Sequence, residues 1–227
     1  MKYQLHSHRN GLFLFENEPT FRRDWLSIRE VLDSITDADL IAAHRSARAK
    51  RRGCKSLSDA INGLLRARLD SDIWDAESAI FNHPEYARRR ETRWRLDFAS
   101  QTMAVEVAFN HGEAIAWNLL KPALSGELNH VEKKIQTSGG VVITATKALK
   151  AAGNFDGAVG EYEKFLRYLP PMMNVLTVPM VVIGLEAPET FSIGAKGSLR
   201  GEVIPLTRAH PNDSQLPLAA EDSKDYG

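Results

Sequence analysis

Three observations predict a mixed α/β fold, a mixed sheet flanked by helices. Two runs with strand-like alternation, 93–99 and 103–110, surround the short polar stretch Ser100-Gln101-Thr102, the pattern of an antiparallel hairpin. Two later runs, 140–146 and 178–185, are apolar without alternation, as in strands covered on both faces. Amphipathic segments with helical spacing precede and separate them.

In chain order, residues 3–15 alternate and end in Leu12-Phe13-Leu14-Phe15, a predicted first strand. Trp25, Ile28, Leu32 and Ile35 recur at helical spacing, which predicts a helix over 22–35. Thr36-Asp37 caps a second helix over 38–50, which runs into the basic cluster Arg48 to Arg52 and stops at Gly53. Residues 56–69 form a third through Leu57, Ile61, Leu64, Leu65 and Leu69. Residues 74–90 read as a short helix around Glu77, a loop with Pro84, and the run Arg88-Arg89-Arg90. After the hairpin, Asn110 and Glu113 match an Asn-x-x-Glu cap before the apolar run Ile115, Trp117, Leu119 and Leu120, and Pro122 kinks or ends that helix. Residues 127–136 are expected to form another helix. The buried strand 140–146 follows, then a helix over 158–169, the buried strand 178–185, and a hairpin over 190–204. From Pro211 the tail is polar and acidic without a periodic pattern, so 211–227 is expected to be disordered and 1–210 to form one domain.

Composition removes several function classes. The 227 residues include 43% hydrophobic side chains, enough for a sizeable core, and 29 Lys plus Arg balance 29 Asp plus Glu. Global charge therefore supplies no attraction to nucleic acid, and any such contact must come from a local basic patch. Cys54 is the only cysteine, which excludes an internal disulfide and a cysteine-built zinc site and fits a reducing cytoplasm. The N-terminus lacks the apolar run of a signal peptide, and the longest apolar runs are too short to span a bilayer, so a cytoplasmic protein without membrane contact is expected. Neither a phosphate-binding Gly-x-x-x-x-Gly-Lys loop nor a Gly-x-Ser-x-Gly elbow occurs.

The hairpin carries the chemistry. If it turns between Gln101 and Thr102, Asp97 lies opposite Glu106, and directly opposed Cβ atoms are only about 4.5–5.5 Å apart. Trp94, Leu96, Phe98, Val105, Val107 and Phe109 then share the other, apolar face. Two carboxylates aimed at one point repel unless a cation lies between them, and an oxygen-seeking divalent ion fits. The ordinary alternative is a solvated hairpin face neutralised by Arg93 and Arg95.

The ordered set of motifs resembles the BglII/BstYI family of type II restriction endonucleases, within the PD-(D/E)xK superfamily. The matching pieces are Asp97-Phe98, Val105-Glu106-Val107-Ala108-Phe109-Asn110, Thr146-Lys147, Tyr162-Glu163, and Val178-Pro179 through Gly184-Leu185. The resemblance implies a restriction-endonuclease-like fold and Mg²⁺-dependent cleavage of double-stranded DNA at a short palindromic site. It also implies 5′-phosphate and 3′-hydroxyl products, a homodimer, and a functionally linked DNA methyltransferase. By analogy, Asp97, Glu106, the Val107 carbonyl and Glu77 hold the metal. Asn110, His111, Lys147 and Asn154 fall where the family contacts DNA, while Arg88 and Arg89 are candidate phosphate contacts. The sequence departs from the family at Ala108, where Lys, Glu or Gln is usual. Arg95, opposite Ala108 in the hairpin register, is the first candidate to supply the missing charge, with Lys121 and Lys147 next. The alternative is a DNA-binding protein on the same fold without cleavage.

Overall fold

The computed structural model describes the chain apart from residues 52, 87–91, 129 and 207–227, so Arg88, Arg89, Arg90 and the tail from Pro211 lie outside the described residues. The first strand, β1 (Tyr3–His8), is shorter than its sequence pattern. Arg9 and Asn10 take φ values of 48° and 56°, and the chain turns into helix α1 (Gly11–Asn17). The apolar run at 12–15 is therefore helical. Gly11 makes the turn possible, because a Cβ there would lie 2.4 Å from the Met180 carbonyl oxygen.

The next three helices follow their periodicity. Helix α2 (Pro19–Ser34) buries Trp25, Ile28 and Leu32. Helix α3 (Asp37–Lys50) starts with a capping box in which Thr36 and Asp39 bond each other's backbone N–H groups. Helix α4 (Ser58–Arg68) buries Ile61 and Leu65.

The segment around Glu77 is not a helix but strand β2 (Asp75–Ala79). It pairs antiparallel with β3 (Arg95–Ala99), from Asp75 opposite Ala99 to Ala79 opposite Arg95. Tertiary pairing overrides the helical preference of a short Ala/Glu-containing stretch. The following hairpin, β3 with β4 (Met103–Val107), has the anticipated register: Phe98 opposes Val105 and Ala99 opposes Ala104. Asp24 of α2 holds its turn, accepting from Ser100 Oγ and Thr102 Oγ1, both at 2.6 Å.

Helix α5 (Ile115–Gly126) runs through Pro122, which packs over Gly140 instead of ending it. Asn110 does not cap it; its amide pairs with that of Asn118, with Asn118 Nδ2 donating to Asn110 Oδ1 at 2.7 Å. Nor do the described residues of 127–136 form a helix. They run beside the chain after β2, with Lys134 N–H donating to the Ile80 carbonyl and Asn82 N–H to that of Glu132. Strand β5 (Gly139–Ala145) leads into α6 (Lys147–Ala152), a short helix capped by Thr146 Oγ1 that the periodicity did not reveal. Helix α7 (Tyr162–Tyr168) starts four residues later than its pattern predicts, because Val159 bridges to His111; strand β6 (Met180–Leu185) and the two-stranded β7 (Phe191–Ile193) and β8 (Val203–Pro205) complete the fold where expected.

The main sheet has six strands in the order β1-β6-β5-β4-β3-β2. Strands β4, β5 and β6 are parallel, and the other neighbours are antiparallel. Helices α2, α3 and α4 cover one face through Trp25, Leu32, Leu40 and Ile61 with Phe98 and Val105. Helices α5 and α7 cover the other through Leu119 and Phe165 with Val142 and Val182. That leaves β4, β5 and β6 enclosed, as their unbroken apolar runs require.

Candidate active site where two strands part

The β3–β4 ladder covers only Phe98–Val105 and Ala99–Ala104. Beyond Phe98 the strands separate, and the expected single apolar face divides. Phe98 and Val105 join the layer under α2–α4, whereas Leu96 turns to Ile80, Phe81, Ala99 and Ala104, with Trp94 packed beside it. Asp97 stands at this opening. Its Oδ2 accepts from the Val107 backbone N–H at 2.7 Å, so a side chain bridges the strands where their backbones no longer pair.

Glu106 is the neighbouring carboxylate and is 2% exposed. Its side chain lies beneath α5, where Lys121 Nζ forms an ion pair with Oε2. Its other oxygen, Oε1, is buried and has no hydrogen-bond partner. Burial pushes the Glu106 carboxyl up to about 8, against the opposing Lys121 charge and with Asp97 adding to the rise. Asp97 is also raised by burial, while the Val107 N–H and Lys121 pull it back.

Glu77 faces the same opening from β2. Its neighbours Ala76 and Ser78 pair with Phe98 and Leu96, which puts Glu77 across from Asp97. It has a left-handed φ of 53°, its carboxylate is ion-paired with Arg66 of α4, and its carbonyl accepts from Arg95 Nη1 at 2.7 Å. A cleft of about 300 Å³ opens here, lined by Asn62, Arg66, Glu77, Asp97, Phe98 and Val107. Three acidic residues thus follow one another across three adjacent strands. Among the described residues, however, no set of three potential ligand side chains is gathered closely enough to hold a metal ion.

Ala108 does not lie opposite Arg95. Its N–H pairs with the Ile143 carbonyl, and its side chain, 1% exposed, packs with Ile115 and Leu119. The amine that reaches Glu106 comes instead from α5, on a helix face shared with Trp117. Sequence spacing shows that Trp117 and Lys121 lie one turn apart, but not what they meet.

The other anticipated residues gather at the end of the parallel strands. His111 bridges to Val159, Gly112 N–H donates to the Ala158 carbonyl and Gly160 N–H to that of Asn110, joining the loop after β4 to the loop before α7. Lys147 is exposed at the start of α6, with its backbone N–H 3.1 Å from Glu163 Oε2. Asn154, φ 51°, donates through Nδ2 to the Lys55 carbonyl at 2.8 Å, so its side-chain amide is engaged in holding the loop. Arg48 bonds the Arg200 carbonyl and pairs with Glu202, which ties it to the C-terminal hairpin.

The six-stranded mixed sheet with helices on both faces has the fold of a restriction endonuclease. A crystal structure of restriction endonuclease BglII complexed with a DNA 16-mer matches with a TM-score of 0.58 at 17% identity, over 85% of this chain and 82% of that one. A crystal structure of free BglII matches at 16% identity over 85% and 83%, with a TM-score of 0.49. No curated protein matches the chain. The restriction endonuclease BglII/BglIII family matches residues 3–185, and the chain belongs to that family, one of type II site-specific deoxyribonucleases. No described helix is long and apolar enough to cross a membrane.

Proposed function

We propose that this protein is a Mg²⁺-dependent endonuclease that hydrolyses both strands of double-stranded DNA at a short palindromic site. The observation that carries the metal assignment is Glu106 Oε1, a buried carboxylate oxygen without a partner beside Asp97. Such an atom is costly unless an ion or donor occupies the position. Mg²⁺ commonly takes one or two protein carboxylates and completes its shell with water and phosphate. Asp97 and Glu106 would hold it, with the Val107 carbonyl as a further ligand; Glu77 would join only after release from Arg66.

The bound ion would polarise a phosphoryl oxygen and lower the pKa of water. Asp97 links the metal position to the Val107 backbone, keeping the two strands in register at the reacting centre. Arg95, bonded to the Glu77 carbonyl, orders β2 against the site and adds positive charge. In the hydrolysis, water oxygen bonds to phosphorus, the P–O3′ bond breaks, and protons pass between water and the leaving oxygen through solvent. The ends are a 5′-phosphate and a 3′-hydroxyl.

Asn110, His111, Lys147 and Asn154 would contact the DNA, and Arg88 and Arg89 would add phosphate contacts. A palindromic site is met by a two-fold protein, so the active species would be a homodimer with each subunit cutting one strand. A methyltransferase acting on the same site would protect the host DNA in the shared cytoplasm.

The test is to incubate the protein with unmethylated phage DNA and Mg²⁺. Discrete fragments are expected, and none from Asp97→Asn or Glu106→Gln. Full cleavage by either variant would remove the metal assignment. A non-cleaving DNA-binding protein is the competing reading, favoured by Ala108. It would hold if the native protein bound duplex in Ca²⁺ yet cut none in Mg²⁺ or Mn²⁺.

A further inference from the structure

The ammonium of Lys121 is the one cationic side chain paired with Glu106 among the described residues, and its location is unusual. Its side chain is 12% exposed. An ammonium is seldom withdrawn from water unless its charge and donors are used. Two donors are accounted for: one meets Glu106 Oε2, and one meets the Arg95 carbonyl at 3.0 Å. An ammonium has three, so these two contacts leave one N–H, and the same charge acts on Asp97, which lines the cleft.

Its position is set by rigid elements. One helical turn earlier, Trp117 Nε1 donates to the Arg93 carbonyl at 3.2 Å. Residues one turn apart on α5 therefore grip carbonyls two residues apart along the approach to β3. Trp117 is further held edge-on against Trp94, with ring centroids 5.1 Å apart. The helix cannot slide without breaking these contacts together, so Nζ is held at the strand opening.

We propose that Lys121 is a catalytic residue of this enzyme: its remaining N–H meets an oxygen of the scissile phosphate and stabilises the charge that develops there. This rests on the endonuclease reading. Lys121 makes and breaks no covalent bond and keeps its protons throughout. A positive charge preorganised in a site of low water content stabilises developing charge far more than a mobile one in solvent. The location also explains how Ala108, the residue after β4, can sit in an apolar layer: the charge arrives from the helix and not from the strand.

The test separates metal binding from turnover. Lys121→Met keeps the stem and removes the charge; Lys121→Arg keeps a charge. Mn²⁺ binding is measured by titration calorimetry, and single-turnover cleavage of phage DNA is measured at saturating Mg²⁺. Lys121→Met is expected to bind Mn²⁺ at least as tightly as the native protein, because a competing cation has left Glu106, and to cleave about 10²–10³-fold more slowly. Lys121→Arg should recover part of that loss. Native cleavage rates in Lys121→Met would overturn the assignment. Loss of Mn²⁺ binding together with cleavage would make the lysine a structural support of the metal site and would also overturn it. If Lys121→Met does not fold, Lys121→Arg with native binding must still show a reduced rate; an unchanged rate together with failed folding of the Met variant would assign the residue to stability alone. Failure of the endonuclease reading is distinct, since the native protein itself would then cleave nothing, and the catalytic role would fall with it.

Discussion

Asp97 Oδ2 accepts the Val107 N–H at 2.7 Å across the gap where β3 and β4 part. One carboxylate thus closes the sheet and lines the cleft of the proposed metal site. The two tasks are separable. Asp97→Asn retains an oxygen that can accept the same N–H, so its stability should stay within about 1 kcal/mol of the native protein while cleavage is lost. Asp97→Ala should lose cleavage and also about 1–3 kcal/mol of stability, because a half-buried N–H is left unpaired. Urea unfolding of both variants would check this; equal stability would show that the Val107 hydrogen bond is dispensable.

Glu106 predicts an unusual pH dependence. Its carboxyl is raised from 4.5 to about 8 in the fold. An acid with a raised folded pKa binds more protons folded than unfolded, so stability falls as pH rises from about 4.5 to about 8. The metal-free protein should therefore be more stable at pH 5 than at pH 8 in EDTA. Glu106→Gln has no such proton, so it should flatten that slope and exceed the native protein in stability at pH 8. A native protein as stable at pH 8 as at pH 5 would contradict the burial of a charged Glu106.

Asp24 should be a large contributor to stability although it lies far from the chemistry. It is 1% exposed and accepts both hydroxyls of the hairpin turn. Asp24→Ala leaves Ser100 and Thr102 without that partner, at a cost of about 1–3 kcal/mol. The turn also sets which residues oppose each other at the strand opening, so cleavage should fall with stability. Chemical denaturation and cleavage at low temperature would measure the two effects.

The run Arg88-Arg89-Arg90 can be tested by salt dependence, since net charge is zero and phosphate contacts must be local. Replacing all three by Ala should flatten the slope of log affinity against log salt by about 0.9 for each phosphate that is no longer neutralised. Binding of an oligonucleotide duplex in Ca²⁺ across a salt series reads this directly. An unchanged slope would assign the run to solvent.

The sequence by itself determined the hairpin and its register. Strand period is two, and the polar turn leaves one centre that opposes Phe98 to Val105 and brings Asp97 near Glu106. It likewise determined α2, α3, α4, β5 and β6, whose apolar patterns are long or unbroken. What it misread were short segments: residues 12–15, 74–79 and 127–136. There the local pattern is brief, and a distant backbone chose the conformation: Met180 against Gly11, β3 beside Glu77, and Ile80 beside Lys134. The site divides in the same way. Two carboxylates and their spacing are local along the chain, so they were legible. Lys121 ranked only behind Arg95 as a source of the missing charge, and its place on Glu106 was not legible, because it reaches that carboxylate only through the packing of α5 across β3 and β4. Helical spacing specifies which residues share a face, and tertiary packing alone decides what that face meets.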